Sequence, residues 1–384
     1  MPRVVQFAIF FLVVLALTAG MHYYVWARLI RDTDLPSRRA LTWLLISLAL
    51  SLPVGMILAR LLPPAVSRWA IFPVWVWMGL LFLLFSLLVS TELVRFLWLK
   101  SGPVDPERRR YIARLFGGTI AAAAGGAGIF AVVSALGRVR VKEIRIPLRR
   151  LPKSLDGFTI VQLTDLHVGP TLGRPWLEDI VNRTNDLAPD LIAITGDLVD
   201  STVARIGPVV EAVRGLRARH GVYFVTGNHE YYAGAPEWMR ELERLGVRVL
   251  RNERVVIGSG DDSFDLAGVD DYNAAGLAPG HAPDLARALA GRDPTRELVL
   301  LAHQPRAIHE AAQSGVGLQL SGHTHGGQIW PWKYLVYLQQ PFVEGLVKVQ
   351  DTHLYVSRGT GFWGPPMRLG APAEITRVVL TSAG

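Results

Sequence analysis

The chain has no cysteine. Disulfides, thiolate metal ligands and a cysteine nucleophile are therefore excluded, and any transition metal must be held by His, Asp, Glu, Asn and water. The absence does not choose between the cytoplasm and an oxidising compartment. Acidic residues are scarce over the first 150 positions, where 6 Asp and Glu face 19 Lys and Arg. Over residues 151–384 the balance reverses, with 26 acidic against 21 basic residues. The overall net charge of +8 thus averages two unlike halves. The basic charge flanks long apolar runs, where it meets lipid headgroups and sets topology, so no nucleic-acid partner is expected. There is neither an internal repeat nor a low-complexity tract.

Four apolar stretches, near residues 4–26, 41–59, 69–89 and 115–136, each approach the ~20 residues needed to cross a hydrocarbon core. Pro53 and Pro73 kink a membrane helix without forbidding it. A single cleaved leader plus buried core helices is the alternative, but four such stretches leave no room for a soluble core. The expected organisation is a transmembrane region over 1–137, a linker over 138–155 and a globular domain over 156–384. The segment Arg138-Val139-Arg140-Val141-Lys142 alternates basic and aliphatic residues, which suits a strand as well as a surface-hugging linker.

Loop charge sets the expected orientation. Arg28, Arg31, Arg38 and Arg39 lie between the first two stretches; Arg95, Lys100, Arg108, Arg109, Arg110 and Arg114 lie between the last two. By the positive-inside rule these loops face the cytoplasm. An even number of spans then puts the globular domain on the extracytoplasmic side of a multi-pass cell-membrane protein. The run from Arg108 to Arg114 before a Gly/Ala-rich stretch also resembles a twin-arginine export signal, with ordinary cytoplasmic flanking charge as the alternative.

From residue 158 onward short apolar runs alternate with amphipathic ones, an α/β pattern with strands buried on both faces. Strands are expected at 159–163, 191–195, 222–226, 264–267, 298–301, 318–320, 354–357 and 375–381, and helices at 176–186, 205–214, 236–245, 283–290 and 306–313. Polar residues follow five of the runs: Asp165-Leu166-His167, Gly196-Asp197, Gly227-Asn228-His229-Glu230, His303, and Gly322-His323-Thr324-His325. Each stands where a loop leaves a strand end, the place where ligands gather in such sheets. Carboxylates, imidazoles and one amide form the donor set that holds two divalent metals side by side, and Asp197 has two oxygens with which to bridge them. Glu230 is expected to orient a neighbour. Asp270-Asp271 ends another apolar run and lines the cleft or simply makes a turn. Trp330-Pro331-Trp332-Lys333-Tyr334-Leu335-Val336-Tyr337, with Phe362-Trp363, reads as a lid or apolar wall near the metals, or else as the packed core of an insertion.

Taken in this order, residues 156–381 resemble the calcineurin-like metallophosphoesterases. The run Ser321-Gly322-His323-Thr324-His325-Gly326-Gly327-Gln328 and the segment Arg368-Leu369-Gly370-Ala371-Pro372-Ala373-Glu374-Ile375 are similar to the membrane-associated YkuE-type branch. The resemblance implies a four-layer αββα sandwich behind four transmembrane helices. It implies that Asp165, His167 and His325 hold one metal, that Asn228, His303 and His323 hold the other, and that Asp197 bridges them, with His229 as the catalytic acid. The cofactors would be two divalent ions chosen from Mn, Fe, Zn or Co. The expected activity is hydrolysis of phosphate esters, phosphodiesters first, by attack of a metal-bound hydroxide, with lipid-linked esters among the substrates and the bilayer as partner. A pyrophosphohydrolase of nucleotide-linked lipids such as UDP-diacylglucosamine, acting from the cytoplasm, is the rival enzyme, and a non-catalytic metal-containing membrane sensor the rival from another class.

Overall fold

The computed structural model describes residues 3–100 and 105–383. The chain divides into two compact units, residues 1–136 with 364–367, and residues 137–363 with 368–384.

The first unit is helical: α1 (Arg3–Trp26), α2 (Arg38–Leu61), α3 (Pro64–Ser90), α4 (Glu92–Lys100) and α5 (Pro106–Leu136). Four helices among the described residues are long and apolar enough to cross a membrane, spanning Phe11–Arg31, Arg38–Ala59, Val66–Leu97 and Pro106–Leu136. Their apolar side chains, among them Leu12, Leu17, Leu50, Ile57, Ile129 and Val133, face outward. A helix that presents Leu and Ile to its surroundings without a core to bury them in suits lipid as solvent. On its inner side α5 buries Gly117, Ala124, Gly128 and Ala131, small residues that let helix backbones approach. This helix begins earlier than the expected residue 115, so Arg108, Arg109, Arg110 and Arg114 are helical rather than loop residues. The side chain of Lys100, counted above among the loop cations, lies outside the described residues. Within this unit the buried His22 accepts from the indole of Trp77 at 3.1 Å, a helix-to-helix contact.

The second unit holds β1 (Arg140–Leu148), β2 (Thr159–Leu163), β3 (Leu191–Thr195), β4 (Val222–Val225), β5 (Arg248–Val249), β6 (Glu253–Ser259), β7 (Asp262–Gly268), β8 (Leu298–Leu301), β9 (Leu318–Ser321), β10 (Gly345–Val349), β11 (Thr352–Val356) and β12 (Glu374–Ser382). Among the described residues they form two six-stranded sheets, ordered β1-β12-β2-β3-β4-β5 and β10-β11-β9-β8-β7-β6. Strands β2, β3 and β4 run parallel in one sheet, and β7, β8, β9 and β11 in the other.

The helices are α6 (Arg174–Asp186), α7 (Val203–Val210), α8 (Asn228–Ala233), α9 (Ala235–Arg244), α10 (Ala274–Leu277), α11 (Leu285–Ala288), α12 (Ile308–Gln313) and α13 (Lys333–Val336). Between the sheets lies a core of Ile160, Leu191, Ala193, Phe264, Leu266, Val299, Leu301, Leu320 and Tyr355. The opposite face of the first sheet (Val161, Leu163, Ile192, Ile194, Phe224) packs on α6, α7 and α9 through Leu177, Ile206 and Trp238. The opposite face of the second (Ala267, Leu298, Leu300) packs on α11 and α12 through Leu285 and Ala311. The layers are therefore αββα. Strands covered on both sides read as unbroken apolar runs.

The expected linker is a correction. Within residues 138–155, β1 pairs in parallel with β12 over its whole length, from Arg140↔Glu374 to Leu148↔Ser382. Ile146 and Leu148 enter the core between the sheets while Arg140 and Arg145 stay exposed. The alternation of basic and aliphatic residues is the two-residue period of an edge strand. Helix α7 is also shorter than the expected 205–214, giving way to a 3-10 turn at Glu211–Gly215.

Candidate metal centre

All five polar blocks leave the C-terminal ends of parallel strands. The loop after β2 carries Asp165 and His167, that after β3 Asp197, and that after β4 Asn228 and His229; β8 leads to His303 and β9 to His323 and His325. Three loops come from one sheet and two from the other, so the residues converge where the two sheets present the same strand ends. Possible donor atoms of Asp165, His167 and His325 lie within 4.8 Å of one another, as do those of Asp197, His303 and His323, and those of His167, Asp197 and His229.

The loops pay for this convergence in backbone strain. Asp165, His167, Asp197, His323 and His325 all adopt positive φ, at 52°, 48°, 51°, 72° and 52°. Non-glycine residues rarely do so, and such strain collects at functional sites. Close approach demands glycine beside two of the loops. A Cβ on Gly227 would stand 2.2 Å from Asp197 Oδ1, and one on Gly322 would stand 2.1 Å from Thr164 Oγ1 and 2.2 Å from Asp165 Oδ2.

Two of the imidazoles, His303 and His167, are oriented from behind. His303 Nδ1 donates to the Thr195 carbonyl at 2.8 Å, leaving Nε2 to face Asp197 Oδ2 at 3.2 Å. His167 Nδ1 meets Asp200 Oδ1 at 2.7 Å, leaving Nε2 3.0 Å from His325 Nε2. His323 points Nδ1 at His303 Nε2, 3.2 Å away. A carboxylate or carbonyl on the far ring nitrogen fixes the tautomer that a metal-binding imidazole needs. Asp165 accepts the His323 backbone N–H at 3.0 Å, and Asp197 accepts that of His229 at 2.8 Å.

Electrostatics point to missing positive charge. Asp165 and Asp197 are fully enclosed. Burial pushes the Asp165 carboxyl up, with Asp197 adding to the rise. Burial acts the same way on Asp197, but His303 and His229 hold it well below the usual range. His303, against the effect of burial, is driven well up by Asp197 and Asp165, whereas burial and His303 bring His323 down to about 3. Burial and His167 also bring His325 well down. The ionised Asp197 and the neutral His323 and His325, in one dry cluster, are donors for a cation. Asn228 supports the same reading: it is buried, and its Oδ1 has no hydrogen-bond partner among the described residues. An orphaned buried acceptor is costly unless something outside the protein satisfies it. The donor set fits hard or borderline divalent cations.

His229 differs from the others. Burial alone would lower it, but Asp197 and Asp200 push it up to about 9, and its Nδ1 lies 2.7 Å from Asp200 Oδ1. Asp200, which the sequence reading missed, therefore serves His167 and His229 with the same oxygen, and those two imidazoles together hold it well below the ordinary carboxylate range despite its burial. Glu230 takes the orienting role expected of it, accepting the backbone N–H groups of Asp197, Leu198 and Gly227 at 3.0, 2.8 and 2.7 Å. Asp270 forms a two-point pair with Arg251 at 2.8 and 3.0 Å, and Asp271 accepts the Gln304 amide at 3.0 Å, so both have structural partners.

Arg368, which the sequence marked only as part of a segment of family resemblance, has a part at the site that was not expected of it. Fully buried, it donates to the carbonyls of His325, Arg358, Gly361 and Ala371, tying the His325 loop to the chain that follows β11. Its burial lowers the guanidinium only to about 10, so it stays charged.

The aromatic segment is not packed core. Trp330, Trp332, Tyr334, Tyr337 and Leu338 are exposed, Leu338 at 81 %. Gln328 binds the backbone of Trp363 in both directions, at 2.9 and 3.0 Å. The half-exposed Trp363 ring stands 5.7 Å from the His229 ring, and the Tyr232 ring 5.3 Å from it.

Comparison with known proteins bears on this geometry. The sequence profile described as calcineurin-like phosphoesterase matches residues 158–327. The chain is 41 % identical over 263 residues to a "Transmembrane protein with metallophosphoesterase domain" of Danio rerio, covering 66 % of this chain and 60 % of that one. A Bos taurus protein of the same description is 45 % identical over 254 residues, covering 63 % of this chain and 57 % of its own length. The chain thus spans less than two thirds of either vertebrate relative. The "Uncharacterized metallophosphoesterase YkuE" of Bacillus subtilis is 32 % identical over 285 residues, 72 % of this chain and 98 % of the relative.

Proposed function

Since the chain belongs to the calcineurin-like metallophosphoesterases, we propose that it is a membrane-anchored hydrolase of phosphodiesters that works with two divalent ions, drawn from Mn, Fe, Zn or Co. The observation that carries this reading is the convergence of Asp165, His167, Asp197, His303, His323 and His325 from four strand-end loops into mutually close donor groups. Asp165, His167 and His325 would hold one ion, Asn228, His303 and His323 the other, and Asp197 both. When bound, such a pair supplies charge for the phosphoryl oxygens and a water acidic enough to ionise at neutral pH.

The chain's own residues do the rest. His303 and His167 are locked in one tautomer by Thr195 and Asp200. His229 carries a proton, is aimed by Asp200 and delivers that proton to the departing ester oxygen. Trp363 and Tyr232 flank that ring, so the leaving group departs past an aromatic surface. With the exposed segment from Trp330 to Leu338, this surface favours esters bearing an apolar portion, the lipid-linked phosphates that a bilayer supplies.

The enzyme unit is assigned to the extracytoplasmic side of the cell membrane on the even number of spans and the arginines between them. A reporter fused after residue 384, active only outside the cytoplasm, tests that assignment. The activity is tested with the full chain in detergent on bis-p-nitrophenyl phosphate. Hydrolysis should need added Mn2+ or a similar ion, stop with chelator, and vanish together with bound metal in Asp197→Asn. Chelator-resistant turnover, or full activity in Asp197→Asn, would remove the proposal. Trp363→Ala should spare that small ester and impair a phospholipid ester; equal effects on both would remove the lipid preference.

A further inference from the structure

Within the helical unit three arginines and two carboxylates form one cluster. Asp32 pairs with Arg28, Arg31 and Arg95 at 3.1, 3.0 and 2.9 Å. Glu92 pairs with Arg28 at 2.7 Å and accepts the Tyr24 hydroxyl at 2.6 Å. Ionisable groups in or beside membrane spans are expensive and mark sites. Here three guanidiniums share two carboxylates, so one positive charge is left over. Arg109, on the first turn of α5, adds a second: its side chain has no hydrogen-bond or ion-pair partner among the described residues. The cluster stands where α1 runs into a π-helical turn, Ala27–Arg31. Such turns are rare in helices and are used to place functional groups.

A cavity of about 270 Å3 opens beside these charges. Arg28, Arg95 and Arg109 stand on its wall with Asp32 and Glu92, leaving one positive charge in excess there, and Leu88, Ile112, Phe116 and Ile120 supply an apolar lining. The height of the site relative to a bilayer is legible in Trp26. Its indole donates to Thr42 at 3.0 Å and lies under the guanidiniums of Arg31 and Arg38, with 5.9 and 6.0 Å to the ring centroid. Tryptophan in that setting marks the headgroup level. The ends of α1 and α3 and the start of α5 meet there.

We propose that this cavity is a binding site for one anionic phospholipid of the bilayer, with its phosphate against the surplus charge of Arg28, Arg95 and Arg109 and the first part of an acyl chain on the lining of Leu88, Ile112, Phe116 and Ile120. The charge selects the headgroup: a zwitterionic lipid offers the arginines no net attraction. The lining selects a lipid over free phosphate, which has nothing to place on an apolar wall. The proposal rests on reading the four long helices as membrane spans and is independent of the chemistry at the metal centre.

The test uses the full chain in a neutral maltoside detergent, titrated with phosphatidylglycerol or phosphatidylcholine and followed by native mass spectrometry. One phosphatidylglycerol should bind in preference to phosphatidylcholine, and millimolar inorganic phosphate should not displace it. Arg109→Gln, at an exposed and unpaired position, should weaken phosphatidylglycerol about fivefold and leave phosphatidylcholine unchanged. Ala113→Phe, which fills part of the cavity and leaves every charged residue in place, should weaken both lipids. Equal affinity of the unmodified chain for the two lipids, an undiminished preference in Arg109→Gln, or displacement by inorganic phosphate would each overturn the site. Carbonate washing of membranes that contain the chain checks the membrane reading separately, since release into the soluble fraction would refute the spans whatever the titration shows.

Discussion

A single carboxylate oxygen of Asp200 stands 2.7 Å from two imidazoles, those of His167 and His229. Replacing it with an amide removes the anion and leaves at least one ring free to change tautomer. Asp200→Asn should therefore cost about 10–100-fold in metal affinity or turnover with the fold intact, measured by metal content, kcat and circular dichroism. A leaving-group series tests the proton-donor role proposed for His229. His229→Ala should slow alkyl esters far more than p-nitrophenyl esters, because a good leaving group needs no proton; equal losses would remove the acid role. The candidate ligands were legible in the sequence because each follows an apolar run that ends in a loop. Asp200 and Arg368 were not, for a physical reason. Asp200 lies in the loop that follows Asp197 and gains meaning only when His229 arrives on α8. Arg368 does its work through backbone carbonyls, which leave no mark on side-chain patterns.

Strand β1 shows what a pattern search for buried runs overlooks. It is an edge strand with one face exposed, as are β6 and β10, whose residues are mostly half-buried or exposed. Strands covered on both faces announce themselves as continuous Val, Leu and Ile, whereas edges need charge to discourage pairing with other chains and so read as linkers. If residues 138–155 were only a tether, Ile146→Ala would be silent. Because Ile146 is wholly enclosed between the sheets, the substitution should lower stability by about 2–5 kcal/mol, read from thermal or denaturant unfolding of the detergent-solubilised chain. At the turn leaving β9, Gly322→Ala would press a methyl group onto Thr164 and Asp165. The expected result is destabilisation by about 1–3 kcal/mol together with loss of metal, detected by unfolding and elemental analysis.

At the scale of the molecule, metal and fold are linked. Chelation should abolish hydrolysis and lower the unfolding temperature, with both restored by Mn2+, because a ligand bound only by the folded state stabilises it. Protons compete for the same imidazoles. His303, driven well up by Asp197 and Asp165, must give up its proton before it can hold a metal, so activity should fall on the acid side and return as metal concentration is raised. A pH profile indifferent to metal concentration would argue against imidazole ligation.

The order of the first sheet has a consequence for synthesis. Strand β12 is the last of the twelve to leave the ribosome, yet it lies between β1 and β2. It pairs Thr376 with Gln162 beside the loop that carries Asp165, and its Glu374 accepts the hydroxyl of Tyr355 at 2.6 Å. A nascent polypeptide thus completes one sheet while the other waits for the strand that joins β1 to β2. A chain stopped before residue 374 would still carry each candidate metal-binding side chain and His229, but as a half-knit platform exposed to cellular proteases.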